Sequence, residues 1–161
     1  QGLAFGAGVP VLPVDSLLAV AEEARHQLEI EQGHAVDSCR VLALLDARMD
    51  EVYVASYEFN SKLWAQHKGY RLVRPEDVAL GLLPGDPWRM AGNAFAVYGG
   101  RLPVGAVAPR HTLPTATAML RLAPALLAAG QALPADQALP TYIRDKVART
   151  TEERLADKAA V

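Results

Sequence analysis

The spacing of apolar residues changes character near residue 40. Before it, Leu17, Leu18, Ala21, Ala24 and Leu28 recur at helical spacing, with Glu22, Glu23, Arg25 and Gln27 opposite. That pattern predicts an amphipathic helix, capped by Asp15 or Ser16 and stopped by Gly33. Upstream, residues 1–8 read as the last turns of a small-residue helix ended by Gly8. VPVLPV, from Val9 to Val14, reads as a short buried strand whose prolines mark a strand end or edge. Beyond residue 40 the period shortens. Val41 to Leu45 is apolar on both faces, as in a sheet covered on both sides. Val52 and Val54 alternate with Tyr53, Ala55, Tyr57 and Phe59 in a second strand. A turn at Asn60-Ser61 leads to a third strand, Leu63 to Leu72. RPEDVALGLL, from Arg74 to Leu83, reads as a short helix with Pro75 near its first turn. WRMAGN, from Trp88 to Asn93, is strand-like, and a loop rich in Gly and Pro precedes a helix from about Pro114 to Ala129. There Pro124 removes a donor and crowds the Leu120 carbonyl, so the helix should kink or restart. A short extended piece from Leu139 and a charged tail close the chain.

The order from Val41 is strand, strand, strand, helix, strand, helix. It predicts an α/β fold with a mixed sheet and helices on its faces. A strand at 9–14 without neighbours invites pairing, so an intermolecular or rearranged contact is expected there.

Composition narrows the function more than the fold. At 161 residues, with 51% hydrophobic and 21% charged, the chain suffices for a domain that buries roughly 70% of its surface. Its net charge of -2 gives no general footprint for nucleic acid or an acidic membrane, so RNA binding would need a local basic patch or a basic partner. No apolar run approaches the ~20 residues of a bilayer span, and a cytoplasmic setting is expected. The lone Cys39 excludes an internal disulfide framework and fits a reducing compartment. The opening apolar stretch lacks basic residues before it, and Pro10 and Pro13 suit a signal-peptide core poorly. The chain opens on Gln1 and is already apolar there, so it reads as starting inside a larger protein.

Candidate chemistry is sparse. His26, His34, His67 and His111 are dispersed, with no HxxxH or HExxH spacing, and are read as surface residues. Cys39 is read as a buried structural thiol just before a strand. No GxxxxGK[ST], GxGxxG or GxSxG motif occurs; AFGAG near the start is read as helix packing and termination, and YGG at Tyr98–Gly100 as a turn. The carboxylates Asp46, Asp50 and Glu51 flank the first hairpin, with Arg48 among them. Asp46 at a strand end could serve as a general base or metal ligand. Alternatively it bonds to turn amides while Arg48 pairs with an acid. Spacing favours the turn. Arg144, Lys146, Arg149 and Arg154 could touch phosphate, but their alternation with Asp145, Glu152 and Glu153 favours a solvated face.

Three segments resemble the TsaB (YeaZ) family: QGLAFGAGVPVLPVDSLLAVA, LALLDARMDEVYVASYEF and LPTYIRDKVARTTEER. The DARM-EVY piece is the most specific, and the Pro-x-Tyr-Ile-Arg piece supports it; Gly85 to Arg110 matches only loosely. The resemblance implies an actin, sugar kinase and Hsp70-like (ASKHA) fold of two related α/β subdomains. Residues 1–36 would be the end of the first, 37–144 the essentially complete second, and 145–161 a charged C-terminal tail. It implies signature positions at Asp46, Arg48, Glu51, Tyr53, Pro140, Tyr142 and Arg144, bracing the hairpin or the cleft between subdomains. Leu3 and Phe5 would be part of a partner interface.

For function the resemblance implies a non-catalytic scaffold. It would activate a TsaD-like catalytic subunit, joined by a TsaE-like ATPase, in placing N6-threonylcarbamoyladenosine at position 37 of tRNAs reading ANN codons. ATP or ADP and metal would sit on those partners, none on this chain, with tRNA met through the complex and a homodimer as a further assembly. The alternative is an ASKHA-type small-molecule kinase or nucleotide hydrolase using Asp46, with phosphate loops outside this chain. The older glycoprotease or M22 peptidase label finds no protease constellation in the sequence.

Overall fold

A computed structural model describes residues 1–78, 88–103 and 105–144. The chain begins with α1 (Gly2–Ala7), which Gly8 ends in the left-handed conformation at φ 67°. α2 (Ser16–Gln32) starts where Asp15 accepts hydrogen bonds from the backbone N–H groups of Leu17 and Leu18, and stops at Gly33. Such a cap satisfies two otherwise orphaned donors and contributes about 1 kcal/mol.

Between them the expected buried strand is absent. Val9 is half exposed, and Val11 alone pairs, through reciprocal backbone bonds of 2.8 Å with Leu133. The contact is a single bridge within the chain. The next bonds on that side would need the N–H groups of residues 9 and 13; Pro13 has none and Val9 donates to the Ala4 carbonyl, which explains why it goes no further.

The sheet is built from β1 (Ser38–Arg48), β2 (Glu51–Asn60), β3 (Leu63–Val73) and β4 (Arg89–Gly92), in the order β3-β2-β1-β4. The first three form an antiparallel meander, and β4 lies parallel to β1. The mixed sheet predicted from the pattern is therefore present. Beyond β4, Arg110 continues the pairing: it donates to Met90 O and accepts from Gly92 N–H, each at 2.9 Å.

The two faces of β1 bury different sets. Leu42 and Leu44 join Val52, Val54 and Met90 beneath Trp88, Tyr98 and Leu102. Val41, Ala43, Ala55 and Tyr57 pack under Leu17, Val20, Ala21 and Ala24 of α2. Period-two alternation in strands apolar throughout explains this double burial.

The structure departs from the pattern in several other places. Glu22, placed by periodicity on the solvent face, is 3% exposed. Its carboxylate pairs with Arg25 and Arg121 and accepts the indole N–H of Trp64, so the charge is buried but satisfied. α4 (Ala116–Ala128), capped by the Thr115 hydroxyl, runs through Pro124 without restarting. Of the helix expected over Arg74–Leu83, Pro75–Asp77 forms one 3-10 turn, with residues from 79 onward outside the described set. A short helix, α3 (Ala94–Tyr98), follows β4 where only a loop was predicted. Cys39 lies within β1, partly buried, and that burial pushes its thiol up to about 11.

Candidate functional site

The β1–β2 turn has an unusual backbone for its sequence. Arg48 pairs with Glu51, leaving Met49 and Asp50 as a two-residue loop with φ of 54° and 65°. Positive φ at both loop residues matches the right-handed twist of the flanking strands, and Gly or Asn usually supplies it. Arg48 is also left-handed, at φ 63°. Three successive non-glycine residues in this region cost on the order of 1 kcal/mol each or more, so something must hold them.

Five side chains do so. Asp46 pairs with Val52 and Arg48 with Glu51, making Ala47 an extra residue in β1; such a bulge re-aims the groups beside it. Asp46 Oδ1 accepts the Arg48 backbone N–H at 2.9 Å and the Tyr98 hydroxyl at 2.8 Å. The Asp46 N–H donates to Asn93 Oδ1 at 2.8 Å. Arg101, just past α3, pairs with both Asp50 and Glu76. From the C-terminal side Arg144 donates to the Ala47 carbonyl at 3.0 Å and pairs with Glu51 at 2.7 Å. The carbonyl left over by the bulge is thus satisfied by a guanidinium whose fork suits two acceptors.

The electrostatics follow from these contacts. Burial alone would raise the Asp46 carboxyl, but the Arg48 N–H, the Tyr98 hydroxyl and the Arg48 charge outweigh it and hold it below the ordinary range. A general base working near neutrality needs the opposite shift. The Tyr98 hydroxyl is pushed up, first by burial and then by the Asp46 carboxylate it donates to. Among the described residues no group of three His, Cys, Asp or Glu could hold a metal ion.

The sequence-predicted positions are thus split. Asp46, Arg48, Glu51 and Arg144 converge on the turn, with Arg144 only 12% exposed in its side chain, which corrects the solvated face expected for it. Lys146, Arg149 and Arg154 lie outside the described residues. Tyr53, Pro140 and Tyr142 lie off the turn's hydrogen-bond network, on an open cleft of about 1440 Å³ that Arg48, Met49 and Arg144 also line. Tyr57, on the same cleft, donates to Asp15; burial and that carboxylate push its hydroxyl up. Leu3 and Phe5 project from α1, 93% and 73% exposed. Sequence reasoning gave Asn93, Tyr98 and Arg101 no role at the hairpin: Asn93 read only as a strand end, and Tyr98 and Arg101 are placed by α3, which it did not predict. The one available signal was a polar Asn directly after the apolar Met90–Gly92.

A family model described as TsaD: tRNA N6-adenosine threonylcarbamoyltransferase matches residues 1–160. The tRNA threonylcarbamoyladenosine biosynthesis protein TsaB of Escherichia coli K12 is 31% identical over 154 residues, covering 92% of this chain and 63% of that protein. Its Haemophilus influenzae counterpart, of the same name, is 30% identical over 155 residues, covering 91% and 62%. The chain belongs to the TsaD family, in its TsaB/YeaZ branch. It spans less than two thirds of the length of these TsaB relatives. A solved structure of YeaZ from Pseudomonas aeruginosa superposes with a TM-score of 0.73 at 35% identity, over 88% of this chain and 62% of that one. A second, described as an uncharacterized protein with similarity to peptidase YEAZ from the same organism, gives 0.74 at 35% identity, over 89% and 63%. The α/β fold with its mixed sheet is that of the TsaB/YeaZ branch. Among the described residues no helix is long and apolar enough to cross a membrane.

Proposed function

We propose that this chain acts in a non-catalytic, TsaB-type subunit that supports a TsaD-like catalyst in forming N6-threonylcarbamoyladenosine at position 37 of tRNAs reading ANN codons. The observation carrying this reading is the commitment of the hairpin. Asp46, the best-placed carboxylate, spends its acceptor capacity on Arg48 and Tyr98, and its basicity is lowered. The names of the TsaB relatives supply the pathway. In this reading the fold is ASKHA-like, with 1–36 from one subdomain and 37–144 forming the other. The exposed Leu3 and Phe5 face a partner; a TsaE-like ATPase joins the cytoplasmic assembly; ATP or ADP and metal reside on those partners.

The test is depletion of the full-length protein, followed by mass spectrometry of tRNA nucleosides. The modified adenosine should fall sharply; an unchanged level refutes the reading. Calorimetry of the full-length protein with ATP and Mg²⁺ separates it from a kinase or nucleotide hydrolase, since tight binding without any partner would favour the latter.

A further inference from the structure

β3 is an edge strand of the sheet, and its charge is unlike that of the rest of the chain. No acidic residue occurs from Phe59 to Pro75, while Lys62, Lys68, Arg71 and Arg74 all do. Among the described residues, every lysine and arginine outside this stretch except Arg89 pairs with a carboxylate. Lys62, Lys68, Arg71 and Arg74 form no ion pair there. Arg74 adds only to the field around Asp50, whose carboxylate Arg101 already holds. In a chain of net charge -2, uncommitted positive charge is concentrated along one element.

The register aligns it. Lys68 and Arg71 are three apart, so strict alternation would send them to opposite faces. Yet Lys68 pairs with Ser56 and Arg71 with Val54, so three steps along β3 match two along β2. The extra residue returns both cations to one face. A second irregularity falls at His67, between the Tyr57–Gln66 and Ser56–Lys68 pairs. His67 turns to Glu58, which Arg40 also holds, so the carboxylate on this face is engaged from two sides. Lys68 and Arg74 are exposed and Arg71 half-buried. From Lys68 to Arg71 extended chain covers about 10 Å, enough to meet two phosphates of a nucleic acid.

Lysines and bulges on an edge also discourage unwanted strand pairing. That role needs one charge and no common face, whereas here the bulge between Lys68 and Arg71 brings two cations without an ion pair among the described residues onto one face. We propose that Lys68 and Arg71 form a direct contact with the tRNA phosphate backbone. This rests on the tRNA-modification reading above and adds that the chain itself touches the RNA.

The experiment uses the full-length protein assembled with its TsaD-family partner and labelled tRNA, with binding measured from about 50 to about 200 mM salt. Lys68→Ala with Arg71→Ala should weaken binding on the order of twenty-fold, and make log affinity against log salt shallower by about 1.4 to 1.8. Lys68→Arg with Arg71→Lys, which keeps both charges, should bind as the parent does. Urea midpoints confirm folding, and should the double variant fail to fold, the exposed Lys68→Ala single gives the same reading in a smaller step. Unchanged affinity and slope overturn the proposal, and so does increased self-association with tRNA affinity intact, which would mark an edge guard. Tighter binding of the parent to phosphatidylserine vesicles or to an acidic protein than to tRNA also overturns it. Depletion separates the two readings. If depletion abolishes the modification while the double variant keeps its tRNA affinity, only the RNA contact fails. If depletion changes nothing, the pathway itself is wrong.

Discussion

Held below the ordinary carboxylate range, Asp46 stabilises the folded chain wherever it is ionised. Its folded pKa lies under its unfolded value of about 4, so the folded state binds fewer protons. The contribution is complete above that unfolded value and is lost as pH falls through the folded one. Asp46→Asn should therefore flatten part of the acid limb of stability, read from urea midpoints between neutrality and strong acid; an equally steep limb in the variant would show that Asp46 does not contribute. At neutral pH Asp46→Ala should cost about 1–3 kcal/mol, since the Arg48 N–H and the Tyr98 hydroxyl lose their acceptor. Glu22 carries a larger stake. Its carboxylate joins Arg25, Arg121 and Trp64 in a buried cluster, so Glu22→Ala should cost about 3–5 kcal/mol. Glu22→Gln, which keeps an acceptor, should cost less. Equal losses in the two variants by denaturant titration would show that shape, not bonding, is what matters there.

At the level of elements, the β1–β2 hairpin combines a conformation suited to glycine with a sequence that has none. Met49 is exposed and left-handed. Met49→Gly should raise stability by roughly 0.5–1 kcal/mol, relief of backbone strain outweighing the added freedom of the unfolded chain. A loss would mean that the Met49 contact with the Arg144 guanidinium matters more than the strain. Arg144→Lys should recover only part of what Arg144→Ala loses, because an ammonium lacks the fork that reaches both the Ala47 carbonyl and Glu51. Full recovery in thermal melts would reduce the clamp to a simple charge pair.

Much of the element order was legible. Runs such as Val41–Leu45 are too apolar and too short for anything but a buried strand, and Gly33 is an unambiguous stop. What misled was one-dimensional. Glu22 sits on the polar side of a helical wheel, but α4 and the β2–β3 turn region close over that side, and no spacing rule announces a second neighbour. Pro13 was read as punctuation of a strand when it helps to prevent one. At the candidate site, Asp46 to Glu51 announced a turn. Its braces Asn93, Tyr98 and Arg101 arrive 47 to 52 positions later, a separation that local pattern cannot see.

For the molecule as a whole, Gly92 joins the two cores. It sits in β4 opposite Leu44 with φ 139°, and a Cβ there would collide with the Leu44 backbone. β1 and β4 contribute side chains to both cores, so prying them apart loosens both faces of the sheet together. Gly92→Ala should cost several kcal/mol and fail to fold at ordinary temperature; soluble, cooperatively melting Gly92→Ala protein would show that the close approach is dispensable.

The Val11–Leu133 bridge bears on how the molecule comes apart. α1 has no buried residue, so little besides that pair of backbone bonds and the neighbouring turn at Ala135–Gln137 restrains the opening stretch of chain. In hydrogen–deuterium exchange the amides of Val11 and Leu133 should lose protection together, long before those of β1 and β2. A force applied to the first residues would meet the same latch first, peeling α1 away at low load while the sheet stays whole.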